Sequence, residues 1–128
     1  MSKNYLSFVI THGSLACCIR DVAEKLIVPA TELLCYSNTE CTLEKIESDI
    51  QSQIEENKPD RVLIFTDLVG GSCWISANRI KKSDENIAVI GGVNVPMLVS
   101  YFVNYERLEW TALIEKISAD AIKGVVVR

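Results

Sequence analysis

The sequence lacks the usual arrangements of metal-binding histidine and cysteine residues. Its 128 residues include a single histidine, and its five cysteines form no C-x-x-C pair. It therefore does not predict a zinc site of ordinary Cys/His spacing. A chain of this length can bury a core without disulfides. We interpret the cysteines as reduced thiols of a cytosolic protein that act mostly as small core residues. They are Cys17, Cys18, Cys35, Cys41 and Cys73.

An excess of basic residues is also lacking. The 13 Lys+Arg residues are outnumbered by 17 Asp+Glu residues, for a formal net charge of -4. This balance argues against a nucleic-acid-binding protein and against a polybasic membrane anchor. Hydrophobic residues make up 48% and charged residues 23%, close to globular averages, which excludes overall disorder. The length suits one domain over residues 1–128.

Neither a signal peptide nor a membrane span is predicted. The apolar stretch that begins at Tyr5 is too short for a signal sequence with its cleavage site. Residues 87–105 are uncharged and about as long as a membrane span. A strand, a turn and a helix explain this stretch better, because glycine, proline and asparagine interrupt it. The interrupting residues are Gly91, Gly92, Asn94, Pro96 and Asn104.

Strand and helix patterns alternate along the chain. Apolar runs rich in β-branched residues predict strands over 5–11, 31–36, 61–66 and 87–90, and a last short strand over 125–127. Helical spacing predicts helices over 15–26, 43–54, 73–81, 96–103 and 108–121. Thr42 is the predicted cap of the second helix. This order predicts an α/β fold with a mainly parallel sheet covered by helices on both faces.

In such a sheet, ligands bind beyond the carboxyl ends of the strands. His12 directly follows the first predicted strand, and Asp67 directly follows the 61–66 strand. A carboxylate bonded to one imidazole nitrogen fixes the tautomer and leaves the other nitrogen free to attack. Gly13 would let another molecule approach closely. The ordinary alternatives are a structural histidine and an aspartate that serves as a turn residue.

The loop 67–72 and the turn 91–94 are predicted to meet at the same edge. Gly70, Gly71 and Ser72 precede a helix, where glycine-rich backbone and a helix N-terminus can bind phosphate. Alternatively, the glycines form a tight turn and Ser72 caps the helix. No Gly-Lys-Ser/Thr follows, so the loop is not a nucleotide-binding P-loop. Together with His12 and Asp67, the loop indicates a phosphoryl group held on histidine.

Cys73 permits a weaker alternative. At a helix N-terminus its thiolate is favoured, so a hydrolase with Cys73, His12 and Asp67 is conceivable. The G-x-[SC]-x-G pattern of such nucleophiles is incomplete, because Trp74 and Ile75 follow Cys73.

Three segments resemble a known family. They are V-I-T-H-G-S-L-A over 9–16, F-T-D-L-V-G-G-S over 65–72 and G-G-V-N-V-P-M-L over 91–98. In order and spacing they resemble the IIA component of the mannose/fructose/sorbose class of the bacterial sugar phosphotransferase system. The resemblance extends over essentially the whole chain.

The resemblance implies a function and a set of partners. His12 would accept a phosphoryl group on Nε2 from the phosphocarrier protein HPr and pass it to a IIB component. Asp67 would hold Nδ1–H, and Gly13, Gly70, Gly71 and Ser72 would form the phosphate-binding site. The protein would be a cytoplasmic homodimer without metal or cofactor, and an antiparallel edge strand would complete its sheet. Its association with the membrane would be indirect, through the IIC/IID permease.

The sequence departs from the family motif next to the site. The family usually continues Gly-Gly-Ser with Pro-x-Asn, whereas Cys73, Trp74 and Ile75 stand here. Ser100 occupies a position where glutamate is frequent. These departures leave open a divergent regulatory or interaction module of the same fold. Trp74 could contact a partner or belong to a core or dimer contact.

Overall fold

The computed structural model describes residues 3–128, within which four strands and five helices alternate. The strands are β1 (Tyr5–Thr11), β2 (Leu34–Ser37), β3 (Arg61–Thr66) and β4 (Ile87–Ile90). The helices are α1 (Leu15–Leu26), α2 (Leu43–Asn57), α3 (Ser72–Lys81), α4 (Val95–Asn104) and α5 (Trp110–Lys123). The predicted α/β class and strand–helix order are confirmed, and three strands and α1 have the predicted bounds.

The strands form one parallel sheet in the order β2-β1-β3-β4. β1 and β3 are central, and Ile10 of β1 lies opposite Thr66 of β3. The residues that follow these strands, His12 and Asp67, therefore emerge side by side at the carboxyl edge of the sheet. Continuous apolar runs suit this position, since both faces of a central parallel strand are buried.

Helices cover both faces of the sheet, as predicted. On one face, α1, α4 and α5 pack against side chains that include Val9, Leu63 and Phe65. On the other face, α2 and α3 pack against Phe8, Ile10, Val62 and Ile64. The alternation of strand side chains between the two faces divides the buried residues into two apolar clusters.

Helix caps explain several of the boundaries. The Thr42 hydroxyl accepts a hydrogen bond from the Lys45 N–H at 3.1 Å, so the predicted cap of α2 is confirmed. Asn94 caps α4 in the same way through the Met97 N–H at 2.9 Å, with Pro96 in the first turn. The uncharged stretch 87–105 thus forms β4, a turn and α4. Within residues 3–128, no helix is long and apolar enough to cross a membrane.

Two strand predictions were wrong, one in its first residue and the other entirely. β2 begins at Leu34 rather than at residue 31, because this edge strand pairs with β1 only from Phe8 to Thr11. Residues 125–127 form no strand in this chain, and Val125, Val126 and Val127 are exposed. A β-branched run forms a strand only beside a pairing partner, and none of the described residues pairs with this one. All pairings among residues 3–128 are parallel, so the predicted antiparallel edge strand is not seen in this part of the chain.

The interpretation of all five cysteines as reduced thiols was also wrong. Cys17 on α1 and Cys35 on β2 form a disulfide, with their Cα atoms 5.3 Å apart. The packing of α1 against the sheet edge brings these residues within disulfide range. Of the remaining thiols, Cys18 is exposed, Cys41 is half-buried and Cys73 is buried. Only Cys73 behaves as a core residue.

Candidate functional site

The candidate site is built on the direct contact between His12 and Asp67. The Asp67 carboxylate accepts a hydrogen bond from the His12 backbone N–H at 3.0 Å. It also contacts the imidazole Nδ1 at 2.9 Å through Oδ2 and at 3.2 Å through Oδ1. The imidazole side chain is 44% exposed, whereas the Asp67 side chain is only 15% exposed. The imidazole is therefore held by a mostly buried carboxylate, while part of the ring remains accessible to solvent.

This contact determines which ring nitrogen is free. Burial raises the pKa of the Asp67 carboxyl, but the hydrogen bonds from the His12 backbone and ring outweigh it and hold the pKa below its usual value. The ionised carboxylate can only accept, so Nδ1 is the nitrogen that bears the proton. The lone pair of a neutral His12 ring then lies on Nε2, the nitrogen that the family resemblance implies.

Ser72 lies beside that free nitrogen, with its Oγ 3.2 Å from His12 Nε2. The alternative interpretation of Ser72 as the cap of the following helix is wrong. α3 begins at Ser72 itself, and the capping position belongs to Gly71, which has no side chain to accept from the first turn. The Ser72 hydroxyl is therefore available to the site as a hydrogen-bond donor, and it stands at a helix N-terminus, where backbone amides lack partners within the helix.

The glycines of the site matter more for the conformation of the backbone than as hydrogen-bond donors to a phosphate. Gly13 and Gly70 have φ values of +59° and +85°, which L side chains rarely adopt. The Gly71 amide donates to the Leu68 carbonyl at 3.0 Å, and a Cβ on Gly71 would lie 3.3 Å from the His12 ring. The positive φ values and the short distance to the ring explain why glycine stands in these turns. The Gly71 N–H already donates to a protein carbonyl and is not free for a ligand.

Asn38 also belongs to this edge, and the sequence analysis missed it. Its side-chain Oδ1 accepts a hydrogen bond from the Gly13 backbone N–H at 3.2 Å. The Asn38 backbone N–H donates to the Thr11 carbonyl, also at 3.2 Å. Asn38 directly follows β2, so the rule that functional residues follow the carboxyl ends of strands could have identified it. The predicted strand ended one residue too early for this relation to be noticed.

The turn 91–94 reaches the same edge, as predicted from the strand order. The Val93 amide donates to the Thr66 carbonyl at 3.0 Å. A Cβ on Gly91 would lie 2.3 Å from Val69 and 3.1 Å from the Trp74 ring. The close packing therefore leaves no room for a side chain at position 91. Trp74 is half-buried and packs against this turn.

Cys73 lies under the imidazole, with its Sγ 3.9 Å from His12 Nδ1. The thiol is fully buried. Burial, together with the negative charge of Asp67, raises the pKa of the Cys73 thiol above its usual value. These features argue against Cys73 as a thiolate nucleophile, because the reacting form is disfavoured and its sulfur is covered.

Exposed apolar side chains lie on the segments that carry the site residues. Leu68 and Val69 in the loop are 61% and 63% exposed, and Leu15 and Ile75 at the starts of α1 and α3 are also exposed. We call these four residues the apolar rim. An apolar rim around a polar centre is typical of a surface that contacts other proteins.

Comparison with known proteins shows the family of the chain. Residues 8–118 match the family model EIIA-man, described as the PTS system fructose IIA component. The chain therefore belongs to the EIIA-man family of the sugar phosphotransferase system, as the resemblance indicated.

Solved structures of similar fold extend over nearly the whole chain. Phosphotransferase component EIIA from Streptococcus agalactiae has a TM-score of 0.83 and 20% identity, covering 96% of both chains. The PTS IIA protein associated with the fucose utilization operon of Streptococcus pneumoniae has a TM-score of 0.79 and 23% identity, covering 98% of this chain and 94% of its own. The mannose/sorbose-specific IIA subunit from Enterococcus faecalis has a TM-score of 0.80 and 16% identity, covering 100% and 96%.

Proposed function

We propose that this chain, as one domain over 1–128, is a phosphohistidine carrier of the phosphoenolpyruvate-dependent sugar phosphotransferase system. The proposal rests above all on one observation. Asp67 binds Nδ1 of His12 at 2.9 Å and thereby leaves the Nε2 lone pair on the accessible side of the ring, next to Ser72. A nucleophilic nitrogen beside uncharged hydrogen-bond donors suits a phosphoryl group.

In the proposed reaction, His12 Nε2 attacks the phosphorus atom of phosphorylated HPr. The phosphorus–nitrogen bond to HPr breaks, and its electron pair returns to the imidazole of HPr. The Asp67 carboxylate stabilises the His12 ring, which gains positive charge as the new bond forms. The IIB component then attacks the same phosphorus atom and releases His12. Catalysis consists of positioning and electrostatic stabilisation, as in phosphoryl transfer generally.

The phosphoryl oxygens are proposed to bind at Ser72 and the first amides of α3. The amides of Gly13 and Gly71 already donate to Asn38 and Leu68. These two glycines, and Gly70 with its positive φ, would therefore shape the phosphate-binding site through their backbone conformation.

The proposed donor and acceptor are proteins, HPr and a IIB component. The apolar rim supports this assignment, since a small-molecule phosphate donor would require no exposed apolar contact surface. The system would place the chain in the cytoplasm, with an indirect connection to the membrane through the IIC/IID permease. We further propose a homodimer, which is supported by the outer edge of β4, left unpaired by the strands of residues 3–128, and by the exposed valines at 125–127. Light scattering after size exclusion tests the dimer.

Intact-mass spectrometry at mildly alkaline pH tests the carrier function. The full chain is incubated with enzyme I, HPr and phosphoenolpyruvate. We expect a gain of one phosphoryl group that requires HPr, is lost in acid and is absent from His12→Ala. No gain, with HPr itself phosphorylated, would contradict the carrier function and favour a regulatory module of the same fold.

A further inference from the structure

Cys73 adds a third metal-ligating atom to the His12–Asp67 pair. Within residues 3–128, the nitrogen of His12, a carboxylate oxygen of Asp67 and the sulfur of Cys73 all lie within 4.8 Å of one another. We propose that these three side chains bind a thiophilic divalent cation, Zn²⁺ in particular, and that the bound cation stops His12 from accepting a phosphoryl group. The second part rests on the proposed carrier function, whereas the first does not.

The distances suit one shared ion. His12 Nδ1 lies 2.9 Å from Asp67 Oδ2 and 3.9 Å from Cys73 Sγ. Ligand atoms around a tetrahedral zinc ion are separated by about 3.3–3.8 Å, given bonds of about 2.0–2.3 Å. To bind one zinc ion, Nδ1 would have to move slightly away from Asp67 Oδ2 and slightly closer to Cys73 Sγ. Three protein ligands leave a fourth position, which a water molecule can occupy.

The charges and chemical types of the ligands select the cation. On metal binding the Cys73 thiol would release its proton to solvent, because the positive ion offsets the burial and the negative charge that otherwise disfavour the thiolate. The carboxylate and the resulting thiolate would together balance the charge of a divalent ion, and the only salt bridge of Asp67 among the described residues is with His12. Sulfur and imidazole ligands favour zinc over magnesium or calcium, which prefer oxygen. Because the imidazole is exposed while the thiol is buried, the ion would enter from the side of the ring.

A cation at this position would reverse the roles of the two ring nitrogens. Coordination uses the lone pair of Nδ1, so the proton of the neutral ring must reside on Nε2. Nε2–H can then donate to Ser72 Oγ, which lies 3.2 Å away, but it has no lone pair with which to attack phosphorus. Metal binding and phosphoryl acceptance would therefore exclude each other at the same side chain.

This site gives a role to the buried Cys73 thiol, which lies beside the His12–Asp67 pair. The mechanism proposed above assigns no step to the buried Cys73 thiol.

Cobalt titration tests the site directly. The full chain is purified without thiol reductants, which keeps Cys17 and Cys35 in their disulfide, and is stripped of metal. With Co²⁺ we expect a near-ultraviolet thiolate-to-cobalt charge-transfer band that saturates at one equivalent and is displaced by Zn²⁺. Cys73→Ala should abolish the band, and the double variant Cys18→Ser/Cys41→Ser should retain it. Absence of the band, or its loss in the double variant alone, would overturn the proposal.

Inhibition is measured separately, with purified phosphorylated HPr as the donor so that enzyme I is absent. Zn²⁺ at about ten times its Kd should slow phosphoryl acceptance about tenfold, because only the metal-free fraction of the protein can react. Each variant is compared with its own metal-free rate, and Cys73→Ala should show less than half of this inhibition. Equal inhibition of both proteins would overturn the regulatory role. If the metal-free protein accepts no phosphoryl group, the carrier function fails, while a band that depends on Cys73 still upholds the metal site.

Discussion

Asp67 holds His12 at two points: one carboxylate contacts both the backbone N–H, at 3.0 Å, and the ring Nδ1, at 2.9 Å. The two contacts fix the start of the turn after β1 and the orientation of the imidazole together. Because β1 and β3 are paired neighbours, the sheet itself sets the distance between the two residues. The reactive ring is thus attached to the two central strands of the sheet.

Asp67→Asn should therefore slow phosphoryl acceptance without unfolding the protein. The amide is uncharged and can no longer stabilise the positive charge that develops on the ring. Loss of one preorganised electrostatic group costs roughly 10²-fold or more in rate. Stopped-time mass spectrometry with phosphorylated HPr measures the rate. Asp60→Asn, at the opposite end of β3, is the matched control, and an equal loss of rate in that variant would contradict the role of Asp67.

Ser72→Ala distinguishes a phosphate-binding hydroxyl from a helix cap. We expect acceptance to slow about tenfold or more, since hydrogen bonds to charged groups contribute about 1.5–3 kcal/mol. Stability should change by less than about 0.5 kcal/mol, because the capping position of α3 belongs to Gly71. Urea unfolding and the transfer rate are both measured, with Ser83→Ala as the control. A loss of about 1 kcal/mol with an unchanged rate would instead indicate a cap.

Asp120, which contacts Ser100, provides a pH-dependent test of stability. The Ser100 hydroxyl donates to Asp120 at 2.6 Å, and Lys116 pairs with it at 3.1 Å. The hydrogen bond from Ser100, then that from Lys116, lowers the pKa of Asp120 below its usual value. A lowered folded-state pKa stabilises the fold above the unfolded pKa of about 4, and this contribution disappears as the pH falls through the folded value.

Asp120→Asn should consequently be less stable than the parent protein at pH 7, and the difference should shrink below about pH 4. Ser100→Ala should reproduce part of the effect. Urea unfolding midpoints at a series of pH values measure both, with Glu115→Gln on the same helix as the control. A difference that grows as the pH falls would contradict the assignment.

Most of the fold follows from local patterns in the sequence. The apolar runs at Tyr5–Thr11 and Arg61–Thr66 have no competing periodicity, and their order of alternation with helices leads directly to the parallel sheet. The rule that sites lie at the carboxyl ends of strands then led to His12, Asp67 and the loop 67–72. Residues 125–127 show where this reasoning fails, because strand propensity alone does not supply a pairing partner.

The missed contacts depend on distances between segments, which a single sequence does not contain. Asn38 joins the site because β2 happens to end beside the turn at Gly13. Ser72 looks like a cap in sequence, but its hydroxyl faces His12 because α3 starts one residue earlier than predicted. Cys17 and Cys35 meet because α1 packs on an edge strand, and an odd number of cysteines obscured that pairing.

The disulfide therefore offers the clearest test of the tertiary packing. Alkylation of the unreduced, denatured protein should label three cysteines: Cys18, Cys41 and Cys73. Labelling of all five would restore the interpretation of reduced thiols. Cys35→Ser should lose about 2–4 kcal/mol of unfolding free energy, because the bond closes a loop with a sequence separation of 18. Cys18→Ser, next to the disulfide on α1, is the control and should change stability by less than about 0.5 kcal/mol. We expect the transfer rate of Cys35→Ser to stay unchanged, because Asp67 and Ser72, and not the disulfide, contact the His12 ring. A parallel loss of rate would show that the disulfide also holds the turn after β1 in place.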